Sequence, residues 1–213
     1  MKKDIIIIGA GQFGILLSNI LKRQNKFNIL GFVDNDKKIK NKLINNFKVL
    51  GTDNYLFKNK KKVINLALAI GSIKKRALII KKFKNKNFKF PSIVDKSCNI
   101  DEKSSIGKGS IICGGATILN NTKIGQFSII GTNVNIFHHV KVGKNCVIGG
   151  ATTIGSNVEI QNNVDVGVSA VFVSKKIKVK KNSIICSGSV VLSHVREGSK
   201  MIGNPAKPIP NKY

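Results

Sequence analysis

The chain has 213 residues, with 37 Lys and Arg against 10 Asp and Glu, and a formal net charge of +27. This length fits one or two domains, and no apolar stretch approaches the length needed to cross a bilayer. The basic residues are almost all Lys, spread along the chain without interleaved aromatics, so a lysine-coated surface is favoured over a nucleic-acid-binding protein. The charge suits anionic ligands such as pyrophosphates.

The N-terminal segment begins with an apolar run, Ile5 to Ile8, that predicts a buried parallel strand. The run is too short for a signal peptide, so we expect a cytoplasmic protein. Gly9-Ala10-Gly11-Gln12-Phe13-Gly14 follows at once, and then an amphipathic helix. The next predicted strand runs from Ile29 to Val33 and ends at Asp34. A GxGxxG between a strand and a helix, with an acid about twenty residues further on, is the dinucleotide fingerprint.

A third predicted strand, Val63 to Ile70, ends at Gly71-Ser72 before a helix that contains Arg76. This α/β region of about ninety residues is too small for both halves of a dinucleotide fold, so we expect it to bind a single nucleotide. In the alternative interpretation, the glycines only form a tight turn and Asp34 only caps it. The substrate-binding candidates are Gly11, Gln12, Phe13, Asp34, Asn35 and Gly71.

The second half of the chain is built on a six-residue repeat. From Val94 to Val166, every sixth residue is Ile or Val. Neither the helix period nor the strand period produces that spacing. It predicts a triangular coil whose sides are short strands with inward aliphatic residues, and whose turns are taken by Gly or Asn. Three hexads close a coil, and coils stack about 4.8 Å apart in a parallel β-helix. The register slips by one residue after Phe172, which predicts a small loop there.

The four cysteines all lie at repeat positions and form no CxxC motif. We expect them to pack in the core, with thiol chemistry as the alternative, and we do not expect disulfides. No metal site is predicted from the sequence.

The whole chain resembles the bacterial nucleotide-sugar acetyltransferases of the hexapeptide-repeat (left-handed β-helix) superfamily. These include UDP-4-amino-sugar N-acetyltransferases and sialic acid O-acetyltransferases. An α/β domain precedes a hexad solenoid, with predicted boundaries at residues 1–90 and 91–213. The resemblance is also carried by three motifs: Ala69-Ile70-Gly71-Ser72, Phe90-Pro91-Ser92-Ile93-Val94 and Gly203-Asn204-Pro205-Ala206-Lys207.

The resemblance implies a homotrimer, with acetyl-CoA in the groove between neighbouring solenoids and the sugar nucleotide on the N-terminal Rossmann-like domain. In these enzymes a catalytic His lies in a segment His-Asp/Glu-x-x-Ile-Gly. Here the segment is His138-His139-Val140-Lys141-Val142-Gly143, which puts His138 in the position of the base. The sequence departs at His139, where an acid would orient the base. The resemblance also implies a path for acetyl-CoA along Val147, Ser156, Gly167, Ser187 and Gly188.

Acetyl transfer from a thioester needs a group that takes the proton of the nucleophile, and the pKa of His suits that role near neutral pH. We predict that His138 and His139 are adjacent in a strand and point to opposite faces. One would face the groove, and a metal site shared by both is disfavoured. His139 is expected to be a neighbour or hydrogen-bond partner. Small residues on the acetyl-CoA path would let backbone N–H groups reach the thioester.

The predicted function is acetyl-CoA-dependent N-acetylation of a UDP-linked amino sugar, with no nucleic-acid or membrane partner. One alternative is O-acetylation of sialic acid or another sugar hydroxyl, which the missing acid beside His138 leaves open. The other is a non-catalytic solenoid that binds a nucleotide sugar or a protein.

Overall fold

The computed structural model describes residues 2–58, 64–83 and 87–209. The chain divides into two compact units, Met1–Lys96 and Ser97–Tyr213. The sequence-based boundary falls a few residues earlier, between residues 90 and 91.

The first unit contains one sheet with strand order β3-β4-β2-β1-β5-β6. Its strands are parallel, except that β3 and β4 form an antiparallel hairpin. The elements of this unit are β1 (Lys3–Ile8), α1 (Gln12–Gln24), β2 (Phe27–Val33), β3 (Leu43–Ile44), β4 (Phe47–Gly51), α2 (Asn54–Lys58), β5 (Ile64–Leu68), α3 (Ile73–Phe83), β6 (Phe88–Lys89) and β7 (Ile93–Val94).

The core of this unit lies around β1, whose four isoleucines are buried because parallel strands pair with it on both sides. Helix α1 turns Leu17, Ile20 and Leu21 inward, and each is completely shielded from solvent. The strand and helix predicted around the glycine motif are thus confirmed. The strand predicted from Val63 to Ile70 is observed as β5, and Val63 lies outside the described residues.

The second unit is a stack of two- and three-residue strands. They are β8 (Asn99–Ile100), β9 (Ser105–Ile106), β10 (Ile111–Ile112), β11 (Thr117–Ile118), β12 (Lys123–Ile124), β13 (Ile129–Ile130), β14 (Asn135–Ile136), β15 (Lys141–Val142), β16 (Val147–Ile148), β17 (Thr153–Ile154), β18 (Glu159–Ile160), β19 (Asp165–Val166), β20 (Val171–Phe172), β21 (Lys178–Val179), β22 (Ile184–Ile185), β23 (Val190–Val191), β24 (Lys200–Ile202) and β25 (Lys207–Ile209).

These strands form three faces of a prism. Face one has the order β25-β24-β22-β19-β16-β13-β10, face two β23-β20-β17-β14-β11-β8, and face three β21-β18-β15-β12-β9. Except for the antiparallel pair β24 and β25, consecutive strands of a face are parallel, as in Ile118↔Ile136 and Ile136↔Ile154, where the partners are one coil apart. The inward residues from Ile112 onward are buried, with Ile130, Ile148 and Ile154 fully shielded, whereas Ile100 and Ile106 in the first coil are half-buried. This confirms the left-handed parallel β-helix expected after the α/β domain.

The register changes where the sequence predicted a slip. Thr153 pairs with Val171, which lies three hexads further on, whereas Glu159 pairs with Lys178 instead of Ile177, the partner that regular spacing would give. The extra residue lies between β20 and β21. It is absorbed at one corner, because the next pairs, Asp165↔Ile184 and Val171↔Val190, remain parallel with the same one-residue offset.

The corners of the prism are made by residues in the left-handed backbone region. Asn121, Asn133, Asn145, Asn157 and Asn163 all have positive φ at six- or twelve-residue intervals, as Asn tolerates this region better than most residues. The glycines that follow the inward aliphatic residues have a different role, which is to let successive coils approach closely. A Cβ on Gly125 would lie 2.4 Å from the backbone of Gly143 one coil on, so these glycines permit close stacking of coils and do not form the turn.

Small polar side chains join successive coils inside the corners. The hydroxyls of Ser110 and Ser128 donate to the carbonyls of Gly125 and Gly143, at 2.7 and 2.8 Å. Cys146 takes the same slot, with its Sγ 3.0 Å from the carbonyl oxygen of Gln161. The four cysteines lie within the described residues and form no disulfide, and Cys113 and Cys146 are buried.

The last coil is covered by an antiparallel hairpin of β24 and β25. Its turn, which contains Gly203 and Ala206, is held to β23 because Val190 donates to the Gly203 carbonyl and Ala206 donates to the Val190 carbonyl. In the part of the chain that the structure describes, no helix is long and apolar enough to cross a membrane.

Candidate active site

The loops after β1, β2 and β5 meet at one edge of the first sheet, because these parallel strands are neighbours and end on the same side. They carry the predicted nucleotide-binding residues. Gly11, Gln12, Asn35 and Gly71 are exposed there, whereas Phe13 and Asp34 are half-buried. The structure therefore brings this group together at a single edge, the usual position for ligands of open α/β sheets.

The glycines of the loop after β1 have different roles. Gly9 has a φ of +102°, and a Cβ on Gly14 would lie 2.3 Å from the Gly9 carbonyl oxygen, so both are needed for the tight turn and for packing of α1. Gly11 has a φ of −81° and no atom within 4 Å of a built Cβ. Neither strain nor packing explains Gly11, and its open surface can be approached by a ligand.

The start of α1 is suited to an anion. Gly11 is the N-cap, no side chain caps the helix, and its first turn contains no acidic residue. The first N–H groups of a helix lack partners within the helix, and its dipole favours negative charge at this end. A phosphate at this position would meet both needs.

Asp34 braces the loop. Its Oδ2 accepts from the backbone N–H of Ala10 at 2.8 Å, and its Oδ1 accepts from the N–H of Asp36 at 2.9 Å. Asp34 thus caps backbone N–H groups of the loops, as one interpretation of the sequence predicted. Each carboxylate oxygen can accept a second hydrogen bond, so a contact with a ribose or base is compatible with this bracing.

Arg76 fixes the third loop, a role that the sequence did not reveal. Its side chain is 1% exposed, and Nη1 donates to the carbonyls of Ile70 and Gly71 at 2.8 and 2.9 Å. A buried guanidinium with carbonyl partners holds the backbone of Gly71 in place. In the sequence it is one of three arginines in a lysine-rich chain, and no pattern distinguishes it.

The two adjacent histidines lie in a turn between β14 and β15, so the prediction that they share a strand is wrong. Both are exposed, and His139 has a φ of +60°. His139 occupies the left-handed corner position that Asn takes in neighbouring coils. A signal was present in the sequence, since His139 lies three residues after the inward Ile136, as Asn121 does after Ile118.

The turn that carries His138 is stacked between two like turns. The His139 N–H donates to the Asn120 carbonyl at 3.1 Å, and the Asn157 N–H donates to the His138 carbonyl at 3.0 Å. Asn120, His138 and Ser156 thus occupy the same place in three successive turns, about 4.8 Å apart. Ser156, predicted on the acetyl-CoA path, is half-buried beside His138 along this column.

A groove beside this column lies on face three. It is lined by His139, Lys141, Asn157, Val158, Glu159, Lys176, Ile177 and Lys178. Its one carboxylate, Glu159, has Oε2 3.9 Å from Lys178 Nζ. The groove is therefore a basic surface next to the histidine turn.

The other residues predicted on the acetyl-CoA path lie on face one and at the corner between faces one and two. Val147 is half-buried on β16, and a Cβ on Gly167 would lie 2.5 Å from the Ser187 nitrogen, so Gly167 and Ser187 are stacked. Gly188 forms the turn there, with a φ of +68°. The structure groups these four residues on one side of the prism and places Ser156 with His138 at another corner.

The expectation that backbone N–H groups donate along this path is not met at three of its residues. The N–H of Gly167 donates to the Ile185 carbonyl at 2.7 Å, and that of Gly188 to the Val168 carbonyl at 2.9 Å. The N–H of Ser156 donates to the Ser174 hydroxyl at 3.1 Å. These groups already join the coils and are not free for a thioester oxygen.

No cluster of three or more potential metal ligands occurs in the described ranges 2–58, 64–83 and 87–209. The third histidine, His194, has a structural role, because its Nδ1 accepts a hydrogen bond from the Lys178 N–H at 2.9 Å.

A comparison with family models finds a match within the first unit. Residues 4–83 match the family model described as the PglD N-terminal domain. No curated protein sequence matches the chain significantly.

Solved structures match both units together. A histidine-to-asparagine mutant of perosamine N-acetyltransferase from Caulobacter crescentus, in complex with CoA and GDP-perosamine, superposes with a TM-score of 0.91 at 21% identity, over 98% of this chain and 97% of that one. The acetyltransferase domain of PglB from Neisseria gonorrhoeae, with acetyl coenzyme A, gives 0.89 at 20% identity, over 98% and 100%. WeeI from Acinetobacter baumannii gives 0.81 at 21% identity, over 98% and 100%.

Proposed function

We propose that this chain is an acetyl-CoA-dependent N-acetyltransferase that acts on a nucleotide-linked amino sugar. The observation that carries the proposal is the placement of His138 on an exposed turn of a solenoid whose fold, over almost its whole length, is that of sugar N-acetyltransferases. An open, uncapped helix N-terminus in the first unit supports binding of the nucleotide phosphates there.

In the proposed reaction the sugar amine attacks the carbonyl carbon of the thioester. The imidazole of His138 accepts the amine proton as the C–N bond forms. The carbon–sulfur bond then breaks, and the sulfur leaves as the free thiol after taking a proton from the imidazolium. The products are the acetamido sugar and CoA, and His138 returns to its neutral form.

The proposal includes a homotrimer with acetyl-CoA between neighbouring solenoids. Within one chain, His138 and Ser156 lie at one corner of the prism, whereas Gly167, Ser187 and Gly188 lie at another. A cleft between two copies would let one ligand contact a corner from each. This separation supports a shared site, and sedimentation analysis of the purified protein tests it.

The identity of the nucleotide is the finer part of the proposal. The sequence resemblance favours UDP, whereas the perosamine N-acetyltransferase was crystallised with a GDP sugar. Gly11, Gln12, Phe13, Asp34, Asn35 and Gly71 are the residues proposed to contact the nucleotide, with Asp34 already engaged by two backbone donors.

The proposal is tested by incubating the full-length protein with acetyl-CoA and matched UDP- and GDP-linked 4-amino sugars while free thiol is measured. We expect thiol release with an amino sugar and none with the same sugar bearing a hydroxyl at that carbon. Release only with hydroxyl sugars would favour O-acetylation. No release with any acceptor, from a protein that still binds acetyl-CoA, would contradict an enzymatic role.

A further inference from the structure

The structure leaves one polar atom unmatched next to the histidine turn. The side-chain oxygen Oδ1 of Asn120 is completely shielded from solvent and accepts no hydrogen bond from any residue in the described ranges. Buried acceptors without a partner are uncommon in folded proteins, and each one calls for an explanation. Asn120 lies one coil before His138, in the same place of the turn.

Side chains elsewhere in this solenoid reach from one turn to the next. The Lys144 N–H donates to Asn162 Oδ1 at 2.8 Å, and Asn145 Nδ2 donates to Asn163 Oδ1 at 2.9 Å. In each pair the partners are one coil apart. An Asn at a turn therefore has the reach to accept from the equivalent residue of a neighbouring coil.

The residue in the equivalent position above Asn120 is His138, whose imidazole carries an N–H. Two other side chains near the His138 imidazole are weaker candidates for its partner. His139 takes the left-handed corner position. The carboxylate of Glu159, in the adjacent groove, is paired with Lys178 Nζ at 3.9 Å. Resting on the proposed function, we infer that Asn120 is the positioning residue of His138, in the role that the resembled enzymes give to an acid beside the base.

In this arrangement one ring N–H of His138 donates to Asn120 Oδ1. That bond selects one tautomer and leaves the other ring nitrogen unprotonated to accept the amine proton. The amide oxygen also stabilises the imidazolium that forms when the proton arrives, without adding a charge to the turn. The neighbouring charged groups are Glu102 at the turn below Asn120, and Lys141, Glu159, Lys176 and Lys178 in the groove.

The test is nitrogen NMR of the histidine rings in the full-length protein, because the chain has only three histidines and each can be assigned by substitution. In the unmodified protein we expect one tautomer of neutral His138 to predominate. Asn120→Ala should mix the tautomers, and Asn120→Asp should keep one tautomer. Asn162→Ala, which removes a turn-to-turn acceptor at another corner, is the matched control and should leave the tautomer of His138 unchanged.

Activity provides the second readout. Asn120→Ala should lower kcat by about tenfold with little change in KM, as expected for an outer residue that orients a catalytic one. Asn120→Asp should retain most of the kcat of the unmodified protein. If the His138 tautomer is the same in Asn120→Ala as in the unmodified protein, the inference is overturned. If the tautomer changes but no amino sugar is acetylated, the inference stands and the proposed function fails.

Discussion

The two units of this chain place their candidate ligand-binding residues by different means. In the α/β unit, these residues lie in three loops, each after a different strand, and the sheet brings the loops to one edge. In the solenoid, each turn lies directly above the turn three hexads earlier in the chain, so that His138 is stacked above Asn120. There the candidate residues are the ones that differ from their counterparts in the coils above and below.

The glycines show what this difference means. In the α/β unit, Gly11 and Gly71 have no structural reason, since a Cβ at either would meet no atom within 4 Å and neither has a positive φ, whereas Gly14 is required for packing. In the solenoid the glycines after inward aliphatics are required at each coil, because a Cβ would meet backbone at 2.4–2.6 Å in Gly125, Gly143 and Gly149. A glycine is informative about function only where stacking does not already demand it.

The largest effect should follow from removing the imidazole of His138, which differs from its counterparts Asn120 and Ser156 in the neighbouring coils. His138→Ala is expected to lower kcat by about a thousandfold, because it removes the proposed general base. The fold should be unaffected, as the side chain is exposed. Thiol-release kinetics measure the rate. His194→Ala is the control histidine, and an unchanged rate in His138→Ala would remove His138 from the mechanism.

The next largest effect tests whether the stacking of coils requires glycine after the inward aliphatic residues. Gly125→Ala should lower the free energy of unfolding by about 3 kcal/mol, because the new methyl would overlap the Gly143 backbone of the next coil, which cannot move away cheaply. Urea unfolding followed by circular dichroism measures this. Gly71→Ala in the α/β unit, where a Cβ meets no atom within 4 Å, should leave the free energy of unfolding unchanged. Equal stability of the two variants would contradict the stacking role.

A smaller effect separates the two glycines at the start of α1. Gly11→Ala should raise the KM for the nucleotide sugar by about tenfold, equivalent to about 1.4 kcal/mol, while leaving stability unchanged. Gly14→Ala should instead destabilise the first unit, since its Cβ would lie 2.3 Å from the Gly9 carbonyl oxygen. If Gly11→Ala leaves KM unchanged, the loop serves only the fold.

The smallest effect concerns the second histidine. His139→Asn should raise the free energy of unfolding by about 0.5 kcal/mol, because Asn tolerates the left-handed conformation found at this residue better than His does. Thermal unfolding measures the change, and the rate should fall far less than in His138→Ala. A loss of rate as large as that of His138→Ala would assign catalysis to both histidines.

Much of the fold could be predicted because its causes are local and repeated. The Ile and Val at every sixth position identify the inward residues, and the glycine motif after Ile5 to Ile8 identifies the loop at the start of α1. Even the extra residue after Phe172 was visible as a change in spacing, and strand pairing confirms it.

The candidate site was less predictable because its contacts join residues one coil apart. Asn120 has nothing in its own sequence neighbourhood to distinguish it, and becomes relevant only when one whole coil is counted back from His138. Arg76 acts through carbonyls of residues 70 and 71, a contact that depends on how α3 packs. The strand assignment of His138 and His139 failed because side-chain alternation was applied to a corner.

The single extra residue between β20 and β21 has a practical consequence. Ser174, Lys175 and Lys176 are exposed at this corner, and the ladders on either side keep their pairing. Chain length can therefore vary here without disturbing the strands, so a short epitope or a fluorophore-bearing peptide could be grafted at this level. Such a graft would lie against the basic groove that contains Lys176, and its fluorescence would report on what enters that groove.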